Sequence, residues 1–163
     1  VALRDVYEKT LQGIGQGNTL VEILHQNLLP SALRPHPQAV IPFLAARDQL
    51  IKRVYQQRTG YWKPDGEGME VFAPKEWAAA LDLLSDGKEE AFVRSAQALL
   101  DRQDDALALK LTDLGLLNYS TSQTLTNLRR QALDRLREKY QQLNPFKFII
   151  YSEWAGAELP PVE

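Results

Sequence analysis

Apolar residues recur at intervals of three and four along most of this chain, which is the spacing of one face of an α-helix. Segment 146–151 has strand-like composition, but a lone strand in a helical chain would have no partner for its backbone hydrogen bonds, so helix is predicted there too. The pattern predicts an all-α fold built as an array of antiparallel helical hairpins. The other apolar series lie at residues 3–11, 21–28, 43–55, 77–84, 92–100, 106–114 and 125–140.

Capping and glycine signals predict where the first two helices meet. Thr19 followed by Glu22 has the spacing of a capping box, in which the hydroxyl and the carboxylate each satisfy a backbone N–H at a helix start. Gly13, Gly15 and Gly17 are predicted to end the preceding helix. These glycines follow a helix rather than a strand and lack the spacing of a phosphate-binding loop, so no nucleotide site is expected.

Prolines and polar residues predict the later boundaries. Pro42 is predicted to open the third helix, Pro74 fits the first position of the fourth, and Ser120 with Gln123 is predicted to open the last long one. Between the third and fourth helices lies a long loop, residues 60–74. We therefore expect N-terminal helices and this loop over residues 1–74, and a helical array over residues 75–163.

One pair of predicted helices, residues 89–117, resembles a single tetratricopeptide (TPR) unit, with Ala96 and Ala106 small enough for the two helices to approach closely. A second copy at the period of that repeat is absent. The sequence thus predicts a TPR-like C-terminal half without a peptide-binding superhelix, and a free-standing TPR-like protein–protein interaction module stays open as an alternative function.

Composition and charge remove several classes of function. The chain has 163 residues and a formal net charge of -2, which favours neither nucleic acid nor an anionic membrane, and no apolar run is long enough for a membrane span. Mean hydropathy of -0.34 is typical of a soluble globular protein. Cysteine is absent, and His25 and His36 do not match a zinc-ligand spacing, so no metal or other cofactor and no catalytic residue is expected in this chain.

The most promising chemistry lies where the third helix gives way to the long loop. Three cations, two phenols and one indole lie within residues 52–62. A cluster of this kind could face an anionic or apolar ligand. The alternative is that Tyr55 and Trp62 only anchor the loop to the core. The candidates for a substrate entrance are Lys52, Tyr55, Arg58 and Trp62.

The same residues carry a family resemblance. Segments 4–33 and 52–62 resemble the two segments that follow the metal-binding domain in alkyl sulfatases of the metallo-β-lactamase superfamily, and residues 89–143 fall where that family has its helical dimerisation domain. The resemblance implies a domain that pairs two subunits beside a zinc-dependent catalytic domain. The motif that binds zinc is absent here, so no position inherits a ligand role. Because the first residue is Val1 rather than Met and residues 2–12 already have a helical pattern, we expect the chain to begin where a longer protein was cut.

The resemblance also implies where this chain departs from the family. Family members carry a Ser-His-Asn stretch before the Lys and Tyr motif, whereas this chain has Asp48-Gln49-Leu50, and Gln49 cannot act as an acid near neutral pH. Alkyl sulfates are therefore an uncertain substrate. The expected function is non-catalytic homodimerisation of an alkyl sulfatase-like hydrolase, with a loop lent to its active-site mouth. Contacts between the subunits are expected at residues 2–28 and 43–55.

Overall fold

The computed structural model describes residues 1–60 and 69–156, and these residues form eight α-helices, one 3-10 turn and no strand. The all-α prediction is confirmed, including helix at residues 146–151. The chain divides into two compact units, Val1–Val71 and Phe72–Glu163. Trp62 lies outside the described residues.

The N-terminal unit packs two helices on a third. Helix α1 (Ala2–Gly15) and helix α2 (Leu20–His25) both contact the long helix α3 (Pro37–Thr59), and a 3-10 turn (Ser31–Leu33) joins α2 to α3. The predicted capping box is present, since the Thr19 hydroxyl accepts from the Glu22 N–H at 3.2 Å and the Glu22 carboxylate accepts from the Thr19 N–H at 2.7 Å. The core of this unit consists of Val6, Ile23, Phe43, Ile51 and Tyr55.

Two expectations for this unit are wrong. Gly13 lies inside α1 rather than ending it, and the absence of a side chain lets α2 approach: a Cβ there would lie 2.9 Å from Ile23 Cγ1. Helix α3 starts at Pro37 rather than at Pro42, which lies inside it directly before the buried Phe43. On the same helix, Arg47 is only 8% exposed and donates to Asp48 at 2.9 Å and to the side-chain oxygen of Asn27 at 3.3 Å.

The C-terminal unit is built around helices α6 (Asp105–Asn118) and α7 (Gln123–Tyr140), which pack on each other. Helix α4 (Pro74–Leu84) packs on α6, helix α5 (Glu89–Asp101) packs on both α6 and α7, and helix α8 (Pro145–Trp154) packs on α7. Pro74 occupies the first turn of α4 as predicted. The core residues are Ala96, Leu100, Ala108, Leu109, Leu128, Ala132, Leu133 and Leu136.

Two positions in this unit differ from expectation. The α5–α6 pair exists, but Ala106 is exposed. The small buried residues of α6 are Ala108 and Gly115, and a Cβ at Gly115 would lie 3.1 Å from Phe92 Cδ1 of α5. The N-cap of α7 is Ser122, not Ser120, because the Ser122 hydroxyl accepts from the Leu125 N–H at 3.1 Å. The tetratricopeptide geometry of this half stays a prediction.

Candidate functional site

Three of the four candidate mouth residues lie in the described part of the chain, all on α3. Lys52 is exposed, whereas Tyr55 is only 9% exposed and belongs to the core of the N-terminal unit. The Arg58 guanidinium donates to the Tyr7 hydroxyl of α1 at 2.7 Å. Burial favours the anchor role for Tyr55, while Trp62 lies outside the described residues.

Helical geometry explains this separation. Residues three, four and seven apart share a face of a helix, so Ile51, Tyr55 and Arg58 lie on one side of α3. The spacing of these three residues is visible in the sequence, but the number of cations and aromatic rings in a segment does not reveal which side of the helix each one lies on. Of the three described candidates, Lys52 is exposed on α3, Tyr55 is buried, and Arg58 is bonded to Tyr7.

The exposed face at this end of α3 is polar and was missed at the sequence level. Arg53, Gln56, Gln57 and Gly60 line an open cavity of about 340 Å³. Gly60 ends the helix with φ of 73°, a left-handed conformation that favours glycine. One guanidinium and two amides around an open cavity can donate hydrogen bonds to an anion, but they include no general acid or base for neutral pH.

Metal ligands do not cluster in the described parts of the chain. Among residues 1–60 and 69–156, no three His, Cys, Asp or Glu side chains come close enough together to hold a metal ion. His25 is exposed in the last turn of α2, and His36 is exposed at the N-cap of α3. These residues therefore do not fit the zinc that the resemblance implies for a catalytic domain.

Polar contacts fix α4 and α7 within the C-terminal unit. The Tyr119 hydroxyl donates a short hydrogen bond to Asp82 of α4, and the Asn118 amide donates to the Ala78 carbonyl at 2.8 Å. The bond to Asp82 raises the pKa of Tyr119 to about 12. In the same unit, the Ser122 hydroxyl donates to Glu89 of α5. These contacts hold the surface helices in place and form no catalytic arrangement.

Apolar side chains are exposed on two helices of this unit. Trp77 and Leu84 of α4 are 54% and 83% exposed, and Phe146 of α8 is 66% exposed. Apolar helix faces without a covering element are typical of surfaces that bind another protein. In this unit α4 packs mainly on α6, and α8 packs mainly on α7.

A family model described as alkyl sulfatase dimerisation matches residues 19–156, which is most of the chain. The chain belongs to this family. The match extends over both units and, among the helices of the described residues, includes all but α1. No curated protein and no solved structure gives a match to this chain.

Membership in this family bears on self-association. A dimerisation domain implies self-association, and the exposed apolar faces of its helices are the kind of surface that self-association requires. Among the helices that the structure describes, none is both long and apolar enough to cross a membrane.

Proposed function

We propose that this dimerisation domain pairs two identical subunits of an alkyl sulfatase-like hydrolase and is itself non-catalytic. The family match carries the proposal, and the exposed apolar side chains of α4 and α8 support it. A two-fold interface needs only one self-complementary surface, so a homodimer is the smallest assembly that covers such a face.

Sedimentation equilibrium of the 18.5 kDa chain over a wide concentration range tests this proposal. The expected result is a dimer mass at micromolar concentrations, with dissociation on dilution. A mass that stays at 18.5 kDa up to tens of micromolar would reject homodimerisation and favour the TPR-like interaction module instead.

The zinc chemistry of the parent protein belongs, in this proposal, to an adjacent metallo-β-lactamase-fold domain. The support is the absence of any cysteine from the chain, together with the lack of clustered ligands among the described residues. Elemental analysis of the purified chain is expected to give no stoichiometric zinc. One tightly held zinc ion per chain would contradict this assignment.

The end of α3 is proposed to border the active-site mouth of the parent hydrolase. Gln49, Lys52, Arg53 and Gln56 support this role, because they are all exposed and follow one another at helical spacing toward Gly60. This stripe offers two cations to an anionic substrate. Tyr55 would support the stripe from inside the core.

Substitution in the intact parent protein tests the mouth. Lys52→Ala should lower turnover of an anionic substrate while the thermal midpoint changes by less than about 2 °C, since exposed substitutions seldom alter stability. Lys110→Ala, at an exposed lysine of α6, is the matched control. If Lys52→Ala and Lys110→Ala turn over the substrate at the same rate, α3 does not border the active site. The alternative that Tyr55 and Trp62 only anchor the loop would then be favoured.

A further inference from the structure

Helix α4 is largely apolar on the side that faces away from α6. It contains three charged residues, Lys75, Glu76 and Asp82, and the Asp82 carboxylate is turned inward to accept from Tyr119. At 100° of rotation per residue, Ala78 and Asp82 lie on the side that packs on α6. On the opposite side Trp77, Ala80, Leu83 and Leu84 are exposed beside Glu76, whose carboxylate accepts from the Ala73 N–H at 2.6 Å at the start of the helix.

The exposed side of α4 is bordered by two concave surfaces. Leu81 and Leu84 line an open cavity of about 200 Å³ with Phe92 and Leu111, where α4 and α5 both pack on α6. Trp77 and Ala80 line a second cavity, of about 310 Å³, with Phe72 and Glu76. Exposed apolar side chains grouped on one helix face are typical of a surface that binds another protein.

We infer that α4 forms the dimer contact by packing antiparallel against α4 of a second copy, an inference that rests on the proposed homodimerisation. The order of side chains along the exposed face is large, small, large: Trp77, Ala80, Leu84. In an antiparallel crossing centred on Ala80, Trp77 of each copy meets Leu84 of the other. The small residue at the crossing lets the two backbones approach.

Area and dipoles agree with this pairing. Phe72 and Trp77 are 53% and 54% exposed, and Leu83 and Leu84 are 82% and 83% exposed. With about 150–250 Å² in each aromatic side chain, the face amounts to roughly 500 Å² per copy. Complete coverage of these side chains would bury at most about 1,000 Å² over two copies, so residues at the rim must supply the rest of the lower bound of about 1,200 Å² for stable interfaces. Antiparallel helices also place opposite ends of their dipoles together.

Cysteine cross-linking tests the crossing directly, because the natural chain has no cysteine. Helix axes about 8–10 Å apart, each with Cα atoms about 2.3 Å from its axis, bring the two Cα atoms at the crossing to about 3.5–5.5 Å, which overlaps the disulfide range. Ala80→Cys is therefore expected to give a disulfide-linked dimer under mild oxidation. Ala79→Cys, exposed but rotated by 100° on the same helix, is the control and should stay monomeric on a non-reducing gel.

Charge insertion supplies the second measurement. Leu84→Glu should weaken the dimer at least tenfold by sedimentation equilibrium, because pairing would bury a carboxylate. Leu107→Glu, at an exposed leucine of α6, is the matched control and should leave the dimer unchanged. Both sites are exposed, so circular dichroism should show the native helix content in each variant.

The outcomes separate this inference from the proposed function. A wild-type dimer that neither cross-links at position 80 nor weakens with Leu84→Glu would overturn the α4 contact and leave homodimerisation intact. Loss of the dimer with Leu3→Glu instead would place the contact in the N-terminal unit. If Leu84→Glu lowers the stability of the monomer without changing association, another part of the same chain covers α4, and the inference is wrong. A monomeric wild type would reject both proposals.

Discussion

Gly13→Ala tests the close approach of α1 and α2 that the structure shows. An ideal Cβ at this position would lie 2.9 Å from Ile23 Cγ1 and 3.0 Å from Ile23 Cδ1. Ile23 is fully buried and β-branched, so its side chain has little freedom to move away. At Gly15, in the same helix, nothing lies within 4 Å of the corresponding Cβ. Gly15→Ala is therefore the matched control.

Two opposing effects set the magnitude. Replacing glycine by alanine within a helix stabilises it by up to about 1 kcal/mol. Overpacking a rigid site costs about 1–3 kcal/mol, and only Gly13→Ala carries this cost. We expect Gly15→Ala to be neutral or stabilising and Gly13→Ala to be less stable than it by about 1–3 kcal/mol.

Urea unfolding followed by circular dichroism, together with hydrogen exchange at the Val6 amide in α1, measures the difference. Ile23→Ala alone should cost about 2–5 kcal/mol. Because Ile23→Ala removes both atoms that the new methyl group meets, the double variant should lose at least about 1 kcal/mol less than the two single losses combined. If Gly13→Ala is as stable as Gly15→Ala, α1 and α2 do not pack as closely as described.

Three further predictions concern single contacts. Thr19→Ala should cost about 1 kcal/mol in urea unfolding because the capping hydroxyl is lost, and Thr19→Ser should restore most of it. Leu133→Ala should cost about 2–5 kcal/mol, since Leu133 is 1% exposed in the core; a loss below about 1 kcal/mol would contradict that packing. The pKa of Tyr119 is raised from 10.0 to about 12 by its bond to Asp82, so the folded state keeps a proton that the unfolded state loses. This stabilisation is complete below pH 10 and is lost as the pH rises toward 12, so Tyr119→Phe should unfold with a weaker pH dependence in that window; identical pH profiles would be evidence against the bond.

Local signals in the sequence determined the secondary structure. The spacing of apolar residues, the Thr19–Glu22 capping pair and Pro74 at a helix start all act within one or two turns, and the structure contains the helices they predict. The resemblance of segments 4–33 and 52–62 pointed to the family that the match over residues 19–156 shows. Boundaries moved where packing outweighed local preference, as at Pro42, which lies within α3.

Only tertiary structure decided which faces are covered. The buried Arg47 donates to the side-chain amide oxygen of Asn27, which lies twenty residues earlier. No local sequence pattern contains that contact. Helix α4 is the clearest case: its residues Trp77, Ala78 and Leu84 are all apolar, yet only Ala78 is buried. Periodicity shows that a helix has an apolar face, but the neighbouring helices determine whether that face is covered, because burial depends on contacts between residues far apart in the chain.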